Sequence, residues 1–149
     1  MDALAHNRAS EQDVTMNGAA RIGYYCQDFR HLQFGEKVID ALRVASDGKH
    51  TEHYLRGVAA RFFLRGEIMQ QVIGSLSEGQ KGLVSLTCLV LQEPSILIVD
   101  EPTNHLNFRH LPAVQRALST FKGGMLLVSH DAEFVKDMKF ERVIDLDEA

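Results

Sequence analysis

No apolar run in the chain exceeds about five residues, far short of the roughly 20 that a membrane helix needs, so no membrane span is expected. The opening stretch MDALAHNRASEQ has no apolar core of the kind a secretory signal carries, which makes the cytoplasm the expected compartment. Only two cysteines are present, Cys26 and Cys88, too few for a disulfide framework and without paired metal-ligand spacing. The seven histidines are scattered. His50 and His53 stand three apart with no cysteine or acidic cluster around them, which argues against a metal centre there. Basic residues are not in excess either: a formal charge of -4 argues against a general electrostatic grip on nucleic acid. Arg56, Arg61 and Arg65 recur near helical spacing, the pattern of a solvated helix face, with a local basic face as the alternative. Internal repeats and low-complexity tracts are absent.

What remains is a soluble composition, 149 residues with 45% hydrophobic content, enough for one domain with an ordinary core. The last third carries three short apolar runs, ILIVD at 96–100, MLLVS at 125–129 and RVIDL at 142–146, each too brief for a helix and suited to a buried strand. Between them Leu111, Val114, Ala117, Leu118 and Phe121 form an apolar helical stripe ended by Gly123 and Gly124. Phe134, Val135 and Met138 form a shorter one. The alternation is that of a parallel sheet covered by helices. Earlier, ARIGYYCQ at 20–27 reads as a strand, and residues 2–7 as a helix fragment before a polar, turn-rich stretch at 10–18. Val38, Ile39, Leu42 and Ala45, then Tyr54, Leu55, Val58, Ala59, Phe62 and Phe63, predict two amphipathic helices in a helical insert from about 36 to 75.

Three stretches carry chemistry. Asp100 and Glu101 end an apolar strand, which places carboxylates at the carboxyl edge of a parallel sheet, where open α/β folds bind ligands. Such a pair alone is most often a plain loop. A second run ends in His130; if the two strands are neighbours, His130 stands close to Glu101, although a lone loop histidine is usually just solvated. Ser77 is a natural N-cap for a helix through Leu83, Val84, Thr87, Val90 and Leu91, and a capped amino terminus offers unpaired N–H groups to an anion, though most such termini bind nothing.

In this order the stretches YYCQ, LSEGQ, ILIVDEPTNHL and LLVSH resemble the Q-loop, signature, Walker B and switch-histidine motifs of ATP-binding cassette (ABC) proteins, over roughly residues 14–146. The NHL after DEPT is similar to the ABC-F subfamily, whose members carry two cassettes, no membrane part, and act on ribosomes or translation. The resemblance implies an α/β, P-loop NTPase-like parallel sheet flanked by helices, with a helical signature subdomain over about 36–91 of a single partial domain, 1–149. It implies ATP and Mg²⁺ as ligands, and as partner a second ABC cassette, in cis in full-length members or in trans, with the ribosome as a further one. Asp100 then matches the magnesium-holding residue, Glu101 the catalytic carboxylate, His130 the switch histidine, and Gln27 the glutamine that contacts magnesium and the attacking water. Ser77, Gly79 and Gln80 match the signature residues that touch ATP held by the opposite cassette. Two positions depart from the family's pattern: Glu78 stands for a glycine and Asn107 for the D-loop aspartate.

The phosphate loop of that family, Gly-x-x-x-x-Gly-Lys-Ser/Thr, does not occur around any of the six lysines. In the family the loop precedes a helix resembling LLDALAH, and this chain opens with MDALAH, so a chain truncated just after Walker A is the expectation. The sheet should then lack the Walker A strand, which in the family lies between the switch-histidine strand and the last strand. The aromatic residue that stacks on adenine in many cassettes also lies upstream of the loop. The alternatives are a non-enzymatic module supplying LSEGQ in trans to an intact cassette, and a fragment of a transporter cassette.

Overall fold

In a computed structural model of the chain, residues 20–25, 28–104 and 106–143 are described. Gln27 and residues 144–146 of the RVIDL run fall outside them, as does the expected helix fragment at 2–7.

Three parallel strands form the sheet in the order β1 (Ile22–Tyr25), β2 (Ile96–Asp100), β3 (Gly124–Val128). Leu97, Ile98 and Val99 of the central strand are all buried, as expected of a strand covered on both faces, and this is why ILIVD reads as a continuous apolar run. Gly23 of β1 has a packing reason: a Cβ there would stand 2.9 Å from Pro94 Cγ and 3.3 Å from Leu97 Cδ1.

Between β1 and β2 lie α1 (Val38–Ala45), α2 (Glu52–Arg61), two 3-10 turns (Gly66–Gln70 and Ile73–Ser75) and α3 (Glu78–Leu91). The apolar stripe of α1, Val38, Ile39, Leu42 and Ala45, is buried against α2 and α3, and α3 in turn packs on β1. Because α3 is nearly enclosed, its buried set runs almost without a break from Gly82 to Leu91, and includes the polar Ser85 and Thr87. Thr87 satisfies its hydroxyl by donating to the Leu83 carbonyl at 2.7 Å. Cys88 lies in the same wall, where burial first and the Glu36 charge second push its thiol up to about 12, which leaves it an inert packing group. One apolar cluster joins these helices to Tyr25, Leu97, Val99, Val114, Leu118 and Phe134.

The crossover from β2 to β3 runs through α4 (Leu111–Ser119), with Pro112 in its first turn. The helix ends at Ser119, before the glycines; a Cβ on Gly123 would stand 2.6 Å from Ser95 O, and Gly124 N–H donates to that oxygen at 3.0 Å as β3 begins. Several boundaries differ from the sequence expectation, and α2 ends at Arg61, before Phe62 and Phe63 of its expected stripe. β1 is shorter than 20–27 and β3 is shifted back by one residue from 125–129. The stripe through Met138 forms only a single-turn helix, α5 (Ala132–Val135); Met138 is buried from the turn that follows. Arg142 and Val143 form no strand, and Val143 is exposed. Among the described residues β3 has a partner on one side only, and its Leu126 is exposed.

Three helices end in left-handed residues that are not glycine: Asp47 after α1, Phe63 after α2 and Glu93 after α3. α2 closes with Leu64 N–H donating to Ala59 O at 3.0 Å and Phe63 N–H donating to Ala60 O at 3.3 Å, the paired bonds of a Schellman end. That geometry holds Phe63 at φ 61°, in the region that favours glycine. A side chain there costs on the order of 1 kcal/mol. Asp47 plays the same part after α1, at φ 51°, where its short polar side chain is better tolerated.

Candidate functional site

Parallel pairing decides where the carboxylates go. Asp100 is the Cα partner of Val128, the last residues of β2 and β3, so both chains leave the sheet at the same edge. Glu101 N–H then donates to Val128 O at 2.9 Å, extending the ladder by one bond, while Glu101 itself turns into the left-handed region at φ 45°. Such backbone strain in a non-glycine residue costs about 1–3 kcal/mol and concentrates at functional sites. It swings the carboxylate toward the neighbouring strand end. There His130 Nε2 lies 3.4 Å from Glu101 Oε1. The Glu101 side chain is 12% exposed and that of His130 is 94% exposed, so a shielded acid faces an imidazole open to solvent.

Local turn chemistry aims His130. Ser129 Oγ accepts from Asp131 N–H at 3.1 Å, and Asp131 Oδ1 accepts from Phe134 N–H at 3.0 Å, capping α5. The histidine between them is thereby projected outward. The structure brings Asp100, Glu101 and His130 together at one sheet edge; Gln27, two residues past β1, lies outside the described residues.

The stretch LSEGQ forms a separate feature at the start of α3. Ser77 Oγ accepts from Gln80 N–H at 3.3 Å and Gln80 Oε1 accepts from Ser77 N–H at 3.0 Å, a reciprocal capping box. Gly79 sits within this first turn. Glu78 is bonded to Lys81 at 2.9 Å, so its charge is countered by its own helix neighbour and favoured by the helix dipole. Replacing Ser77 by alanine is expected to destabilise the fold by about 1 kcal/mol, read as a lower urea midpoint at unchanged slope. Asn107 is occupied as well: its Oδ1 accepts from Arg109 N–H at 3.0 Å, a turn that an aspartate would make equally.

One pair escaped the sequence reading. His31 Nε2 and the fully buried Ser85 Oγ are 2.8 Å apart, tying the loop after β1 to the middle of α3 across 54 residues. The available signal was a serine on an otherwise apolar helix wall, which must find a partner when buried. Burial lowers the His31 pKa below its ordinary 6.5, with the Asp28 charge acting the other way. The unfolded chain therefore binds the proton first, and the contribution to stability is complete above about 6.5 and fades as pH falls through the lower, folded value. Between about pH 7.5 and 5.5 the urea midpoint of the native chain should fall more than that of His31→Gln, and only slightly, because part of the residue stays in solvent.

Among the described residues no three His, Cys, Asp or Glu side chains form a cage for a metal ion. A magnesium ion does not require one: it is usually held by one or two carboxylates, water and substrate phosphates. The donor set at this edge, with Asp100 at the end of β2, fits a phosphate-borne magnesium. The residues fit the phosphates themselves less well, since the sequence holds no glycine-rich lysine loop. A surface depression lined by Arg21, Val44, Asp47, Gln92 and Pro94 among others lies at the amino ends of the strands, away from this chemistry. No helix among the described residues is long and apolar enough to cross a membrane.

A family model described as ABC transporter matches residues 4–104. The chain is 40% identical over 125 residues to an uncharacterized ABC transporter ATP-binding protein of Schizosaccharomyces pombe, covering 82% of this chain and 17% of that protein. It is 36% identical over 117 residues to ATP-binding cassette sub-family F member 3 of Homo sapiens, covering 78% of this chain and 16% of that protein. To the probable ATP-binding protein YbiT of Escherichia coli O157:H7 it is 35% identical over 136 residues, covering 85% and 25%. The chain thus spans a quarter or less of the length of these relatives. In fold it resembles the ATP binding subunit of an ABC transporter, with a TM-score of 0.68 at 23% identity over 79% of this chain and 52% of that one. A dimeric ATP-binding cassette in a post-hydrolysis state bound to ADP and Pi gives 0.65 at 18% identity, over 77% and 54%. The sheet, its helices and these relatives together make the chain a member of the ABC ATPase family, of the ABC-F type.

Proposed function

We propose that residues 1–149 are a partial ATP-hydrolysing domain of an ABC-F-type cassette, with a helical signature subdomain at about 36–91, that carries the hydrolytic groups but not the phosphate grip. The observation that carries this reading is the meeting of Asp100, Glu101 and His130 at the carboxyl edge of a parallel sheet. Glu101, shielded and held beside an imidazole, is the group that orients a water and accepts its proton. His130 holds the terminal phosphate or that water by hydrogen bonding, and Gln27 joins them from the loop after β1. Asp100 is the residue that would hold magnesium, which when bound supplies charge neutralisation to the phosphates.

Alone, the chain has little or no ATPase activity, because its sequence lacks the Walker A loop. It works in the cytoplasm against a second cassette, in cis or in trans, in a ribosome-linked process. A second reading, a module that lends its signature in trans, is supported by the capping box, which presents Ser77, Gly79 and Gln80 on a preformed helix end. The test is ATP turnover by the purified 149-residue chain and by a form with the loop supplied. Turnover by the bare chain at the rate of an intact cassette would refute the first reading, and ATP-dependent co-elution with a full-length cassette would favour the second.

A further inference from the structure

α2 and α4 are in contact, and the residues just past the end of α2 and just before α4 carry exposed aromatic rings that the ATPase reading does not use. Phe63 is 47% exposed and Phe108 72% exposed. The Phe63 ring lies against that of His110, with centroids 5.0 Å apart and planes at 36°. Exposed arginines border the rings: Arg61 and Arg65 flank Phe63 in sequence, and the Arg109 guanidinium carbon is 5.7 Å from the Phe108 centroid. Arg65 also donates twice to Ala60 O, which holds its guanidinium at the end of α2. Among the described residues none of these three arginines has a carboxylate within 4.0 Å, whereas Arg30, Arg43 and Arg56 all do. Glu67 is the nearest acidic residue in sequence, two positions past Arg65. In a chain of net charge -4 these three arginines are a local excess of positive charge, whereas Arg56, the other member of the Arg56, Arg61 and Arg65 spacing, is paired with Glu52.

Phe63 makes the surface hard to explain as packing. Its backbone position is one where glycine is favoured, and its ring is half in solvent, so burial does not offset the strain. We propose that this surface binds unpaired RNA, with bases stacking on Phe63 and Phe108 and phosphates meeting Arg61, Arg65 and Arg109. Exposed π-faces beside guanidinium groups are the chemistry of single-strand recognition: stacking accepts any base, and the cations track the backbone. A duplex keeps its bases stacked on one another and offers such rings no faces. The inference deepens the ribosome-linked reading by naming a partner class, and rests on that part of it alone.

The test is fluorescence anisotropy of labelled oligouridine with the 149-residue chain, with no nucleotide present, so failure here leaves the hydrolytic reading untouched. Saturable binding that prefers oligouridine to an RNA duplex is expected. Phe63→Gly separates function from folding: it should raise the urea midpoint by relieving the left-handed backbone, yet weaken RNA binding about tenfold. Phe108→Ala should weaken binding to a similar degree. Arg61→Glu with Arg109→Glu should flatten the dependence of log affinity on log salt, by about 0.7 for each phosphate no longer neutralised. Absence of binding, equal binding of duplex, or full affinity in Phe63→Gly that has gained stability would each overturn the proposal. Competition by an acidic peptide that leaves RNA unbound would assign the surface to a protein partner instead.

Discussion

Placing a strand and a Gly-x-x-x-x-Gly-Lys-Thr loop ahead of Met1 is expected to tighten ATP binding by about four decades. The magnitude follows from the bonds involved. Backbone N–H groups of such a loop and its lysine make charge-assisted hydrogen bonds to phosphate, each worth about 1.5–3 kcal/mol. About four of them sum to roughly 6 kcal/mol at the lower bound, a factor of about 10⁴ in affinity. The described residues offer no substitute: the helix end at Ser77 already commits its side-chain donors and acceptors to a capping box, and Glu78 places a negative charge in the same turn. Titration of a fluorescent ATP analogue into both forms reads the difference. Micromolar binding by the bare chain would contradict the proposal, and equal weak binding by the form with its loop lysine changed to alanine serves as the control. Among the described residues β3 pairs on one side only and exposes Leu126, so an added strand there should also improve solubility.

The parts of the fold that are readable in the sequence are those where one physical requirement dominates. ILIVD has to be a buried parallel strand because it is apolar without alternation, and Leu97 to Val99 are enclosed on both faces. α1 is readable from a four-residue stripe because only one side of it is covered. Where tertiary contacts decide, periodicity misleads. The stripe through Met138 satisfies helical spacing, yet the helix stops at Val135, and Met138 reaches the core from a turn. Spacing records which residues are buried, not which backbone delivers them.

The same division holds at the candidate site. Asp100 and Glu101 can be placed at the sheet edge from the strand pattern, and the parallel register then fixes His130 beside them. The left-handed turn at Glu101 cannot be read, since glutamate has no preference for that conformation; it goes with tertiary and turn bonds, Glu101 N–H to Val128 O and Asn104 N–H to Glu101 O. Nor can the bond between His31 and Ser85, which links residues far apart in the chain through a contact that no local periodicity encodes. Glu78 and Asn107 stand out in sequence as departures from a family pattern, and the structure gives each a local partner, Lys81 and the Arg109 N–H.

In the loop-bearing form, Glu101→Gln is expected to lower the turnover number by about 10²–10⁴ while leaving ATP affinity within about twofold. Glutamine keeps the size of the side chain and one carbonyl oxygen, and the backbone bond from residue 101 to Val128 O does not involve the side chain at all, so the turn should persist. What disappears is the capacity to accept a proton and the negative charge facing His130. His130→Ala is expected to lower turnover too, and the two changes together by much less than the product of the single effects, because the pair acts on one water and one phosphate as a unit. Rapid-quench measurement of single-turnover hydrolysis separates the chemical step from product release. Hydrolysis by Glu101→Gln within tenfold of the parent would remove Glu101 from the role of base. The positional strain at φ 45° would then have to be explained by packing around Val128 alone.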